Sequence, residues 1–181
     1  VNAWWIWDTG CANDLISASR ADRYLDDVYD RYGGVGCSEI SFNKPISFNT
    51  ANGVVKTSKV LPVTMTVDGD VHKCEPYIMD ETPSVLTCGT RCAVQGYSFI
   101  WLQGLMPCVI TPCGKLVMLE TVSNVPYVTL KALRDSARDQ QMVIDKCGVR
   151  LSGTSLEICV DLQFEYVAQV AAPGPVKAEP A

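Results

Sequence analysis

The sequence predicts an all-β chain made of short hairpins, on three observations. The apolar run Trp4-Trp5-Ile6-Trp7 stops at Asp8-Thr9-Gly10, Asn52-Gly53 sits between two β-rich runs, and Asp68-Gly69-Asp70 repeats the same kind of turn signal. Asn-Gly and Asp-Gly flanked by β-formers mark tight hairpins, because Gly accepts the positive φ that such turns require.

Each element follows in order. Residues 1–7 form a strand and 8–13 a turn. The charged stretch 22–31 places Tyr24, Leu25, Val28 and Tyr29 at a spacing compatible with a short helix or an irregular insertion, and the glycines at 33, 34 and 36 end any helix. Residues 46–49 and 54–60 flank the Asn-Gly tip as strands, 61–67 alternates as a third, and 71–77 follows the Asp-Gly turn. A short helix is expected over 87–95, ended by Gly96, with a strand over 97–102. Beyond it come one hairpin over 109–122, a helix over 129–143 with Thr129 as its cap, and a last strand over 156–167. The Pro- and Ala-rich residues 171–181 form a linker. The expected division is a domain over 1–102, an extension over 103–170 and that linker.

Composition narrows the functions. The 181 residues are 48% hydrophobic and 19% charged, which suits a packed core and not a disordered chain. The net charge of −5, with scattered Lys and Arg, argues against nucleic-acid binding by this segment. No apolar run approaches the ~20 residues that span a bilayer, so no membrane partner is expected. Nine cysteines, an odd number, without a secretory start, predict a reduced setting.

Chemistry concentrates at Asp8. A carboxylate at the end of an apolar strand, in a turn with Thr and Gly, is held rigidly where hydration is poor, and there it serves as an acid or a base. Other readings are weaker. Cys88 and Cys92, Cys108 and Cys113, with His72 as a spare, approach zinc-ligand spacings, but Cys88 and Cys92 fall in an expected helix and the second pair has no accompanying His. His72 and Cys74 share a strand face, yet no orienting Asn or Asp accompanies them as a cysteine hydrolase requires. Core filling is the better account of the cysteines.

Three ordered segments carry a resemblance: Trp4 to Gly10; Phe48-Asn49-Thr50-Ala51-Asn52-Gly53; and Pro83-Ser84-Val85-Leu86-Thr87-Cys88-Gly89 followed by Gly96-Tyr97-Ser98-Phe99-Ile100-Trp101. In this order and spacing the chain resembles the retropepsin-like aspartic proteases of copia-type retrotransposon polyproteins. The resemblance covers the first hundred or so residues and implies the retropepsin-like acid-protease fold with one short helix near the end of the core. It also implies an aspartic endopeptidase that matures a retroelement polyprotein, in the cytoplasm or within retroelement particles.

Only one Asp-Thr-Gly is present, so the implied dyad needs two copies: a homodimer in which one Asp8 is the general base and its twin the general acid. Thr9 and Gly10 complete the catalytic turn. Cys11, Ala12 and Asn13, the flap residues Thr50, Ala51, Asn52 and Gly53, and Leu86 are the implied contacts to an extended peptide or polyprotein substrate. No metal or organic cofactor is implied. Two departures stand out. Ala12 occupies the place where the family has a substrate-binding Asp, leaving Asn13 or Asp14 for that role, and Thr87 follows Val85-Leu86 where Gly is usual, leaving Gly89 in a shifted register. These departures keep a second reading open, a catalytically silent protease-fold module for dimerisation or peptide binding.

Overall fold

Two short strands open the chain, β1 (Trp5–Asp8) and β2 (Leu15–Ser17), and they lead into α1 (Ala18–Tyr32). The computed structural model describes residues 5–33, 38–50, 53–67, 70–153 and 155–160. The sequence expectations for Ala51-Asn52, Asp68-Gly69, most of the Gly-rich stretch 33–36, residues 161–167 and the linker 171–181 fall outside them. The fold is mostly β, with several sheets and few helices.

Helix α1 starts earlier than the charge run suggested. Ser17 caps it, its hydroxyl accepting the Arg20 N–H at 3.3 Å, and Gly33 ends it at φ +65° while donating to the Tyr29 carbonyl. Ala18, Ala21, Tyr24 and Leu25 form the face turned to the core, and Asp22, Arg23, Asp26 and Asp30 are exposed. Of the two readings of the charged stretch 22–31, the helix is the one found, and it runs longer, from Ala18 to Tyr32.

Next come β3 (Ile40–Thr50) and β4 (Gly53–Val60), an antiparallel hairpin closed by the pair Thr50 and Gly53. Its register shifts between Ser41 and Ile46, where Pro45 has no N–H to give the ladder. The strand expected over 61–67 starts at Val63, after Leu61-Pro62. There β5 (Val63–Val67) pairs with β6 (Asp70–Cys74) as a separate two-stranded sheet. The chain then returns through β7 (Tyr77–Met79), β8 (Val85–Thr87), α2 (Cys88–Ala93) and β9 (Ser98–Ile100).

The later residues are woven into the same structure. After β9 follow β10 (Cys108–Ile110), β11 (Leu116–Met118), β12 (Glu120–Val122), β13 (Val125–Val128), α3 (Leu130–Arg138), α4 (Gln140–Cys147), β14 (Val149–Ser152) and β15 (Ser155–Ile158). Where one hairpin was expected over 109–122, two occur. Ser123 and Asn124 both adopt positive φ, 50° and 62°, and turn β12 back into β13 without a glycine to announce it. The helix expected over 129–143 is likewise two. Asp139 ends α3 and caps α4, its carboxylate accepting the Met142 N–H at 2.9 Å. Among the described residues no helix is long and apolar enough to cross a membrane.

Eight strands make the main sheet, in the order β12-β13-β1-β8-β2-β7-β4-β3. At its centre β8 runs parallel to β1 (Ile6 to Val85, Asp8 to Thr87) and antiparallel to β2 (Leu15 to Val85). Side chains alternate between its faces. Trp5, Trp7, Ile16, Ile78 and Leu86 enter the main core, where Val109, Val117 and Leu119 also pack. Ile6, Leu15, Tyr77, Met79 and Val85 gather on the other face with Cys11 and Phe48. Burial on both faces is why the run before Asp8 is continuously apolar rather than alternating.

Across the boundary expected near residue 102, β13 pairs directly with β1, Trp5 to Val128, and Val109, Val117 and Leu119 pack with Trp5 and Trp7. The second cluster, around Cys108, Met118, Val143, Cys147 and Val149, lies under α4. It depends on one backbone requirement. Gly148 ends α4 at φ +70°, and a Cβ there would lie 2.5 Å from Leu105 Cδ1 and 3.1 Å from Val160 Cγ2. Gly148→Ala is expected to cost about 2 kcal/mol, from left-handed strain plus crowding. That corresponds to a thermal midpoint roughly 4–8 °C lower by calorimetry. An unchanged midpoint would mean that the turn re-forms at no cost.

Candidate active site

Asp8 is the last residue of β1, and alternation turns its side chain to the face of Ile6, away from Trp7 and the main core. The chain then turns sharply. Asp8 Oδ1 accepts the Gly10 N–H at 2.7 Å, and a Cβ on Gly10 would sit 3.4 Å from that same oxygen. Asp8 is half-buried, while Thr9 and Gly10 are exposed. The result is a carboxylate with one oxygen fixed by a backbone donor, at the rim of an apolar surface. It can hold or release a proton toward whatever occupies the space above it.

The turn is fastened from behind by an ion pair that spacing did not reveal. Arg91, 4% exposed, extends from α2 and grips Asp14 with both ends of its guanidinium, at 2.7 Å to Oδ1 and 2.9 Å to Oδ2. Asp14 Oδ1 also accepts the Thr87 N–H at 2.7 Å, and the Thr87 carbonyl accepts from Arg91 at 3.3 Å. Thr87 stands opposite Asp8 in the parallel register, and its hydroxyl caps α2 by accepting the Thr90 N–H at 3.1 Å. One buried threonine thus joins β1, the ion pair and the helix. The Thr87 side chain therefore has a structural task in this turn. Asp14, already holding three donors, has its carboxylate committed inward.

The remaining expected site residues divide. Cys11 is half-buried in the apolar cluster and its thiol donates to the Asn13 carbonyl at 2.9 Å, so turn residues 11 and 13 brace each other. Ala12 is exposed. Thr50 closes the hairpin, its hydroxyl donating to the Gly53 carbonyl at 2.8 Å, and Gly53 has φ +112°. Ala51 and Asn52 lie outside the described residues. Leu86 pairs in register with Trp7 and is buried with it in the main core, on the face opposite Asp8. Its neighbour Val85 occupies the Asp8 face instead, beside Ile6 and Leu15.

The hairpin meets this surface through Phe48, whose ring lies 5.3 Å from that of Tyr77 in an edge-on arrangement and which packs in the cluster containing Ile6 and Cys11. Phe48, Ile6, Val85 and Tyr77 thus form one apolar cluster on the sheet face that carries Asp8, which the turn motif alone did not identify. Strand alternation from Asp8 backward would have picked out Ile6. The others needed the strand pairing.

Among the described residues, two pairs of cysteines lie close together. Cys88 and Cys92, one helical turn apart on α2, bring their sulfurs to 3.7 Å. Burial, and then the hydrogen bond from Cys88, raise the Cys92 thiol above its ordinary value. Cys108 is buried beside Cys147, not Cys113, and the hydrogen bond between those two thiols together with burial pushes Cys108 up. Cys74 is pushed up to about 12, chiefly by burial and then by the Asp14 charge. Among the described residues no three of His, Cys, Asp or Glu gather as metal ligands would. Comparison with protein-family models, curated proteins and solved structures found no match to this chain.

Proposed function

We propose that the chain is an aspartic endopeptidase working as a homodimer, with Asp8 from each copy forming the dyad. The observation that carries this reading is the Asp8 turn: a carboxylate at a strand end, one oxygen held at 2.7 Å by the Gly10 N–H, on the sheet face that also carries Ile6 and Val85. Two such carboxylates about 3 Å apart cannot both be ionised, so they share one proton. The charged member takes a proton from water as it attacks the scissile carbonyl, while the protonated member donates to the carbonyl oxygen. The negative charge moves across the dyad and onto no other group of the chain.

The apolar surface suits the side chains of an extended peptide, and the β3–β4 hairpin is the element suited to cover it. Substrate would then lie as an added strand, with main-chain hydrogen bonds giving affinity and alternate side chains giving preference. A retroelement polyprotein is the proposed natural substrate.

The direct test incubates the protein with a peptide library between about pH 4 and 7, with and without a statyl-type inhibitor. Inhibitor-sensitive cleavage is the expected result. No cleavage by a protein that is dimeric in solution would favour the silent, peptide-binding module instead.

A further inference from the structure

The two thiols of α2 stand one helical turn apart and meet: Cys88 Sγ lies 3.7 Å from Cys92 Sγ. Cys88 is half-buried against the main core and Cys92 is exposed, so the pair opens to solvent. Cys108 and Cys147 also lie together, but both are buried, which seals that pair from any solute.

Two thiols this close can join each other or hold something between them, and helix geometry decides. A disulfide needs sulfurs about 2.0 Å apart and Cβ atoms about 3.5–4.5 Å apart. Residues i and i+4 of a helix keep their Cβ atoms about 5–6 Å apart. Closing the bond would therefore pull α2 out of helical form, and α2 is anchored by the Thr87 cap and by buried Arg91 on Asp14. An atom between the sulfurs meets no such conflict. Two metal–sulfur bonds of about 2.3 Å span any separation up to about 4.6 Å, so 3.7 Å is within reach with the helix intact.

We propose that Cys88 and Cys92 form a two-thiolate site for a soft monovalent cation, Cu(I). Ligand count sets the ion. Structural zinc takes four ligands, and among the described residues no three of His, Cys, Asp or Glu gather as metal ligands would. Cu(I) favours thiolate sulfur and is satisfied by two ligands. On binding, both thiol protons leave for solvent and two Cu–S bonds form, with no change of oxidation state. The linear S–Cu–S arrangement needs the sulfurs about 1 Å further apart, which rotation of the exposed Cys92 side chain supplies. The site belongs to α2 alone, so it stands whether or not Asp8 is a catalyst.

The test titrates Cu(I) anaerobically into the reduced full chain against an excess of the chelator bathocuproine disulfonate, which keeps the ion from single thiols. Wild type is expected to withdraw one equivalent. Cys88→Ser and Cys92→Ser are each expected to weaken binding at least about 100-fold, because the second thiolate no longer acts intramolecularly. Cys92 is exposed, so its variant keeps the fold even where the half-buried Cys88 resists change. Cys113→Ser, which alters another exposed thiol, is expected to bind like wild type. Three results would overturn the site: wild-type affinity in Cys92→Ser, an equal loss in Cys113→Ser, or a Cys88–Cys92 disulfide mapped by mass spectrometry after the native chain is treated with oxidised glutathione.

Discussion

Asp8→Asn protein is expected to fold and to dimerise like the wild type while its kcat/KM on any cleaved peptide falls by at least about 10³-fold. Asn has nearly the same shape, and its amide oxygen can still accept the Gly10 N–H, so the turn keeps its geometry. The amide cannot take a proton from water. In a symmetric dimer both members of the dyad change at once, so neither the base nor the acid survives. The measurement pairs cleavage kinetics with thermal melting and sedimentation. Full activity in a folded Asp8→Asn dimer would remove Asp8 from the mechanism. Lost activity with lost folding would assign it a structural role.

Arg91→Met is expected to be the most destabilising single change among the described residues around the turn, about 3–5 kcal/mol. The substitution keeps the apolar stem and deletes the guanidinium, leaving the Asp14 carboxylate, 9% exposed, with one N–H donor where it had three. A loss of that size lowers the thermal midpoint by roughly 6–20 °C. The pair itself need not be strongly stabilising, because desolvating two charges offsets much of their attraction. The double variant Asp14→Asn/Arg91→Met, which leaves no buried charge, is therefore expected to recover more than half of the loss. A single variant costing under about 1 kcal/mol would mean that water reaches Asp14 and that the turn is held by its backbone alone.

The turn at Asp8 was legible because it is local: a strand, a carboxylate and a glycine are adjacent in sequence. The hairpin of β3 and β4 was legible for the same reason. Leu86 was placed with the substrate because apolar residues before a helix resemble either face of a strand. Only the pairing of Trp7 with Leu86 and of Ile6 with Val85 decides which one points toward Asp8. The Asp14–Arg91 pair spans 77 positions and leaves no periodic trace. The break in the expected helix at Asp139 was hidden because aspartate within a helical pattern signals little until its carboxylate is seen on the Met142 N–H. Beyond residue 102 the sequence had no motif to set it apart from an appendage, whereas the backbone of β13 completes the sheet beside β1.

That last pairing has a consequence for how the molecule comes into being. β1 is made before both of its neighbours in the sheet, β8 and β13, which emerge from the ribosome long after it. Contacts this distant in sequence form slowly, because a long loop must close before any hydrogen bond is gained. During that interval the Trp-rich strand has open edges, the condition under which strands pair with the wrong chain. Synthesis through Val128 is what ends the exposure, so the residues after 102 act as a built-in guardian of the strand that carries Asp8.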